Sequence, residues 1–218
     1  MPPMDSNDFR HVRAWVFDLD NTLYPPSARL FDQIERRMTD YVMRTLSVAR
    51  EEADHLRATY WKLHGTTLAG LMAEHGVDPV PYLVDVHDIT LDHLMLDEPL
   101  ADRIARLPGR KIVYTNGSAP YAERVLAARG LSGLFDGIFG VEHGDYHPKP
   151  DRKAFETVFA KAGIAPSEGA MFEDDPRNLI VPHAMGMRTV HVAGLAEPAP
   201  HIHHHTDDLA AFLARIVD

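Results

Sequence analysis

The chain has 218 residues, a formal charge of −10, and 45% apolar against 25% charged side chains, the proportions of a globular protein able to bury a core. That charge argues against a nucleic-acid polymer as partner, which a basic stripe would meet, and the absence of cysteine removes disulfides and thiolate metal sites. No apolar run nears the ~20 residues of a bilayer span, and MPPMDSNDFRHVR lacks the apolar centre of a signal peptide. The expectation is a soluble, cytoplasmic protein with no membrane partner.

Residues 1–11 read as a polar lead-in. Ala14 to Phe17 (AWVF) is a short apolar run of the kind found in a strand buried on both faces of a parallel sheet. It ends in Asp18 and Asp20, then Asn21, Thr22 and the break Tyr24-Pro25-Pro26. From Ser27 the period turns helical, with Leu30, Phe31, Ile34, Met38, Tyr41, Val42 and Thr45 on one face. Ser47 is the expected N-cap of a second helix that Gly65 ends. Thr67 to His75 is a third helix, stopped by Gly76, and Tyr82 to Val86 a fourth. A doubly wound domain would have spent this length on βα units, so residues 27–96 are expected to be an all-helical insert. The core is then 1–26 plus 97–218, with the joins near Tyr24 to Pro26 and Leu96 to Pro99 acting as hinges.

The βα rhythm then returns. Helices are expected at Leu100 to Leu107, Ala119 to Arg129, Asp151 to Ala162, Arg177 to Met185 and Asp207 to Val217. Strands are expected at Lys111 to Tyr114, Ala170 to Phe172 and Arg188 to Val192, with one or two more within Phe135 to Val141. The fold class is α/β, a doubly wound parallel sheet with a helical insert.

Three strand ends carry complementary chemistry. Carboxylates at i and i+2, as in Asp18 and Asp20, point to one side, at the sheet edge where open α/β folds bind ligands. A D-x-D also opens calcium loops, but the sixth and twelfth places of such a loop hold Leu23 and Arg29 here rather than Gly and Glu. A metal–nucleotide grip or two unrelated surface acids remain alternatives for the tripeptide alone. Thr115 and Asn116 follow the second strand and precede a helix whose N–H groups favour an anion, although Thr-Asn-Gly-Ser is also an ordinary capped turn. Lys149 stands between Pro148 and Pro150, which restrict the backbone that aims it. Glu173, Asp174 and Asp175 close a third strand. Facing carboxylates call for a hard cation, Mg²⁺ first, sharing its shell with a phosphate, and the lysine and hydroxyl would neutralise the remaining phosphate oxygens.

In order, FDLDNTLYP, VYTNGS, HPKPDRKAF and MFEDDPRNL resemble the four motifs of the haloacid dehalogenase superfamily phosphatases, over nearly the whole chain. The insert resembles that superfamily's type-1 cap, and DNTLYP, GTTLAGLM and FEDDPRN are similar to its pyrimidine 5′-nucleotidase branch. The resemblance implies Asp18 as nucleophile and Asp20 as the acid that protonates the leaving oxygen and then deprotonates water. It implies Thr115, Asn116 and Lys149 around the phosphate of a small phosphomonoester. It also implies Mg²⁺ on Asp18, the Asp20 carbonyl and Asp174, with Glu173 nearby or direct. Asp175 occupies a place often held by a small polar residue. A carboxylate at Asp20 favours phosphate esters over haloacids, because expelled halide needs no proton.

Other residues take structural readings. His201 and His203 to His205 resemble a tag that would bind Zn²⁺ or Ni²⁺ adventitiously. His87-Asp88 lacks the further ligands of an HD phosphohydrolase, and Phe31, Tyr60 and Trp61 have the spacing of core residues, which is favoured here over a substrate platform. Thr66 and Thr67 stand where a base or sugar would be met. Oligomeric state is not legible.

Overall fold

The computed structural model describes residues 6–196 and 198–218. Residues 1–5 of the expected lead-in lie outside that range. Its remainder is not loose: Phe9 is buried and stacks on Trp15, ring centroids 6.0 Å apart.

The chain runs β1 (Ala14–Phe17), α1 (Leu30–Leu46), α2 (Arg50–His64), α3 (Thr67–His75), α4 (Pro79–Val86), α5 (Glu98–Arg106), β2 (Arg110–Tyr114), α6 (Ala119–Arg129) and β3 (Gly137–Phe139). It continues through α7 (Arg152–Ala162), β4 (Gly169–Glu173), α8 (Ile180–Ala184), β5 (Arg188–Val192), β6 (His204–Thr206) and α9 (Leu209–Val217). The six strands form one sheet in the order β3-β2-β1-β4-β5-β6, parallel throughout. β1 is central, with Phe17 in register with Val113 on one side and Phe172 on the other. After β1 the chain winds outward to β3, then returns to β4 on the opposite side. That reversal places a crevice beyond the carboxyl ends of β1 and β4. No described helix is long and apolar enough to cross a membrane.

Each sheet face packs its own core, as strands buried on both sides require. Val16, Ile112 and Met171 meet Phe155 and Phe159 of α7 on one face. Trp15, Phe17, Val113 and Phe172 meet Val125, Phe212 and Leu213 on the other, where Phe17 and Phe172 stack at 4.7 Å.

α1 to α4 form an all-helical unit between β1 and α5. Both chain crossings into it are held by one buried residue, Arg129 at the end of α6. It donates to the carbonyls of Leu23 and Met95 and pairs with Asp97. Within the unit α3 lies close on α2 because Gly70 faces the Tyr60 ring. A Cβ at Gly70 would stand 2.2 Å from Tyr60 Cγ, and Tyr60 is further fixed by a 2.6 Å bond to His75. Gly70→Ala is therefore expected to cost about 1–3 kcal/mol by overpacking, read as a lower urea midpoint. Unchanged stability would mean that α2 and α3 can part freely.

Three expectations are corrected. Ser47 does not cap α2: it ends α1 in the left-handed region at φ 56, and the residue before α2 is Ala49. The expected helix at Arg177 to Met185 begins as a 3-10 turn, Pro176–Leu179, and becomes α8. Part of the tag-like histidine cluster lies in the sheet: His204 and His205 belong to β6, which pairs with β5 through Val190 and His204, His191 and His205, and Val192 and Thr206.

Candidate active site

The loops that follow β1, β2 and β4 converge with the loop before α7 on a cleft of about 290 Å³. After β1 the backbone turns sharply through Asn21, at φ 58, a region asparagine tolerates better than most residues. Its side chain donates to Asp174 Oδ2 at 3.3 Å, tying the first acidic loop to the third.

Lys149 Nζ lies at the bottom. It donates to Asp18 Oδ1 at 2.6 Å, to Glu173 Oε2 at 2.6 Å and to the Tyr114 carbonyl at 3.1 Å, so its three protons are all committed within the protein. Burial alone would lower its pKa, but Asp18 and Glu173 outweigh burial and raise it, keeping the ammonium charged. Asn116 does not point its amide at the cleft. Its Oδ1 accepts from the Lys149 N–H at 2.8 Å and its Nδ2 donates to the Lys149 carbonyl at 3.0 Å. That clamp on the lysine's own peptide fixes where the ammonium sits.

The acids fall into two environments. Burial, reinforced by neighbouring carboxylates, pushes Asp18 up to about 8, Glu173 to about 7 and Asp174 to about 6. Oxygens of these three residues all lie within 4.8 Å of one another, a cluster of hard donors that fits a small divalent cation. Glu173 is the most engaged, since its other oxygen accepts from the Asp175 N–H at 3.2 Å. Asp175 turns aside to Arg177, at 2.5 Å.

Asp20 stands apart from Lys149. Its Oδ1 accepts from the Tyr24 hydroxyl at 2.6 Å and the Tyr121 hydroxyl at 2.8 Å, and its Oδ2 lies 3.4 Å from Thr115 Oγ1. Burial raises its pKa while the two phenols oppose the rise. Thr115 Oγ1 also accepts from the Gly117 N–H at 2.9 Å.

The helical unit supplies the opposite wall, with Ile34, Met38, Leu83 and Val86. Two of the three aromatics expected in the core stand on it: Phe31 is 41% exposed and Trp61 48%, whereas Tyr60 is buried. Trp61 carries the Arg177 guanidinium over its ring at 3.8 Å, so a cleft wall has been read as a core face. Thr66 caps α3 by accepting from the Ala69 N–H at 3.1 Å, and both it and Thr67 line the cleft. The parts that Tyr24, Tyr121, Asn21 and Arg177 play in the site have no motif of their own in the sequence. Tyr24 follows D-x-D at helical reach, but Tyr121 is brought in only by the fold.

The family model for haloacid dehalogenase-like hydrolases matches residues 12–186, which contain all four loops. The chain belongs to the haloacid dehalogenase-like hydrolase family. Among curated proteins it is 28% identical over 200 residues to phosphate metabolism protein 8 of Saccharomyces cerevisiae, covering 85% of this chain and 62% of that one. It is 31% identical over 96 residues to fructose-1-phosphate phosphatase YqaB of Escherichia coli, covering 43% of this chain and 50% of that one. The chain thus spans between half and two thirds of these relatives' lengths. Among solved structures, CbbY of Rhodobacter sphaeroides in complex with phosphate superposes with a TM-score of 0.64 at 20% identity, over 94% of this chain and 99% of that one. The HAD-hydrolase YfnB of Bacillus subtilis, bound to magnesium, gives 0.60 at 15%, over 94% and 98%. These structures share the fold of this chain.

Proposed function

We propose that this hydrolase is a cytoplasmic, Mg²⁺-dependent phosphomonoesterase acting through an aspartyl-phosphate, with nucleoside 5′-monophosphates, pyrimidine first, as its substrates. Residues 1–26 and 97–218 would be the catalytic core and 27–96 the cap that supplies specificity. The observation that carries this reading is the division of labour between the two strand-end carboxylates. Asp18 is bridged by an ammonium, and Asp20 is held by two phenols. Paired acids in unlike surroundings are how one site obtains both a nucleophile and a proton carrier.

Asp18 would attack phosphorus in line with the ester bond, while Asp20 gives its proton to the departing alcohol oxygen. Asp20 would next take a proton from water, which attacks the aspartyl-phosphate to release phosphate and restore Asp18. Thr115, Asn116 through its main chain, and Lys149 would surround the phosphate, Lys149 by exchanging one of its present bonds. Asp18, Asp174 and the Asp20 carbonyl, with Glu173 behind them, would hold Mg²⁺, which when bound neutralises phosphate charge.

The nucleotide preference is supported by the DNTLYP wording and by Phe31 and Trp61 on the cleft wall, flat surfaces on which a base could stack. A sugar-phosphate or phosphoglycolate phosphatase or a phosphomutase is the second reading, and the sugar phosphate is favoured by the likeness to fructose-1-phosphate phosphatase YqaB and to a CbbY mutant solved with xylulose 1,5-bisphosphate. A non-catalytic phosphoryl binder is disfavoured, since binding needs no paired nucleophile and acid.

The test is phosphate release from a panel of monophosphates, with Mg²⁺ and with chelator. UMP and CMP are expected well above AMP, GMP, sugar phosphates and phosphoglycolate, with activity lost in chelator. A sugar-led profile would discard the nucleotidase branch and keep the chemistry. No release from any ester would sink the reading.

A further inference from the structure

The dipeptide His87-Asp88 is split by the fold. Asp88 faces solvent and pairs with Arg37 at 2.6 Å. His87 turns the other way, ends α4, and is carried into the cleft with only 8% of its surface exposed. Its ring lies flat on Tyr121, centroids 4.3 Å apart with 6° between planes, and Tyr121 is the residue whose hydroxyl bonds Asp20. Arg124 of α6 holds the segment in place through the carbonyls of His87 and Ile89, at 3.0 and 2.7 Å.

The two ring nitrogens have different fates. Nδ1 lies 3.1 Å from Ser118 Oγ. Nε2 makes no side-chain hydrogen bond among the described residues, and the Leu83 carbonyl is the ring's other polar neighbour. Nε2 looks onto the bare Cα of Gly117: a Cβ there would stand 3.4 Å from His87 Nε2 and 3.3 Å from Thr115 Oγ1. Nε2 thus borders the space that Thr115 also borders, at the lining of the cleft. If Ser118 donates to Nδ1, the neutral ring carries its proton on Nε2. Burial, helped by Arg124 and opposed by the Leu83 carbonyl, drives the ring's pKa down to about 4, so the ring is neutral at working pH.

We propose that His87 is a substrate-binding residue whose Nε2–H donates to an oxygen on the alcohol half of the phosphomonoester, beside Asp20. This rests on the phosphatase reading and adds a contact from the helical unit to the leaving group.

Two substitutions separate this role from a merely structural one. His87→Asn keeps a polar atom near Nδ1, and so the tie to Ser118, but removes the donor at Nε2. His87→Gln places an amide nitrogen near Nε2 and loses the Ser118 tie. The proposal expects His87→Gln within about threefold of the parent in kcat/KM on UMP and His87→Asn lower by about tenfold. On p-nitrophenyl phosphate, whose leaving oxygen accepts poorly, both should lie near the parent. Asn as active as Gln on UMP, or both variants equally impaired on both esters, would overturn it.

A second readout does not depend on turnover. In Asp18→Asn protein, adding UMP should shift the His87 Nε2 resonance in histidine ¹H–¹⁵N spectra, and inorganic phosphate alone should not. No shift with either, or the same shift with phosphate, would also overturn the proposal. Failure of the parent to hydrolyse any ester would instead count against the phosphatase reading, and the spectra would still answer for His87.

Discussion

Replacing Asp18 by Asn is expected to reduce Mg²⁺-dependent phosphate release by about 10⁴-fold or more, the scale on which losing a covalent nucleophile acts. The amide is nearly the same size, so packing should survive. It also removes one of the two carboxylates that Lys149 bridges, in a place where burial and Glu173 already disfavour its charge. The variant should therefore melt within a few degrees of the parent and still bind monophosphates. Asp20→Asn makes an informative contrast. It would leave the nucleophile intact and remove the proton, costing about 10²–10⁴-fold on alkyl phosphates such as UMP. The loss should be smaller on p-nitrophenyl phosphate, which expels a stable anion. Retention of metal-dependent release by Asp18→Asn would overturn the covalent mechanism outright. Equal losses for Asp20→Asn on both esters would remove Asp20 from its role as acid.

Most of the sheet is legible because its strands announce themselves. AWVF and GAMFE are short and almost wholly buried, and glycines at Gly65, Gly76, Gly130 and Gly163 end helices where the pattern places them. β6 is hidden because His204-His205-Thr206 has no apolar signature. As a three-residue edge strand it needs only backbone pairing with β5, and the polar atoms beside it serve locally: Thr189 Oγ1 donates to the His201 carbonyl at 2.7 Å. Ser47 misleads for a related reason. A serine before two glutamates reads as an N-cap, yet the same residue can take the left-handed geometry that closes the helix before it.

In the site, residue types and strand ends are local information, whereas their pairing is not. The Asp18–Lys149–Glu173 bridge spans 131 and 24 residues, and the Tyr121–Asp20 bond spans 101. No local pattern encodes these distances, and they decide which acid is bridged by a cation and which is held by phenols. The misreading of Trp61 and Phe31 has another cause. Helical periodicity reports a face turned away from bulk water, and a ligand cleft satisfies that pattern as well as a core does.

Lys149→Met tests the bridge itself. The methionine fills similar volume but leaves Asp18 and Glu173, both almost fully buried, without their cation. Breaking a buried pair from one side costs about 3–5 kcal/mol, more than packing can return, so the variant should be markedly less stable in chelator at pH 8. The loss should shrink at lower pH. Both carboxyls already have folded-state pKa values, about 8 and about 7, above the ordinary carboxylate value near 4. A group shifted in this direction stabilises the fold while it keeps its proton and loses that contribution as pH rises through its folded pKa. Without the ammonium both values move higher still. At pH 5 protons therefore replace the missing cation, while at pH 8 ionising either acid becomes more costly than in the parent. Adding Glu173→Gln to Lys149→Met should recover part of the stability at pH 8 without recovering activity, a non-additivity that independent sites would not show. Urea titrations of the parent, the two single variants and the double variant, at pH 5 and pH 8 in chelator, provide the measurement. A loss equal at both pH values, or a double variant as unstable as the sum of its parts, would mean that Lys149 contributes through packing rather than as the counter-charge between two acids.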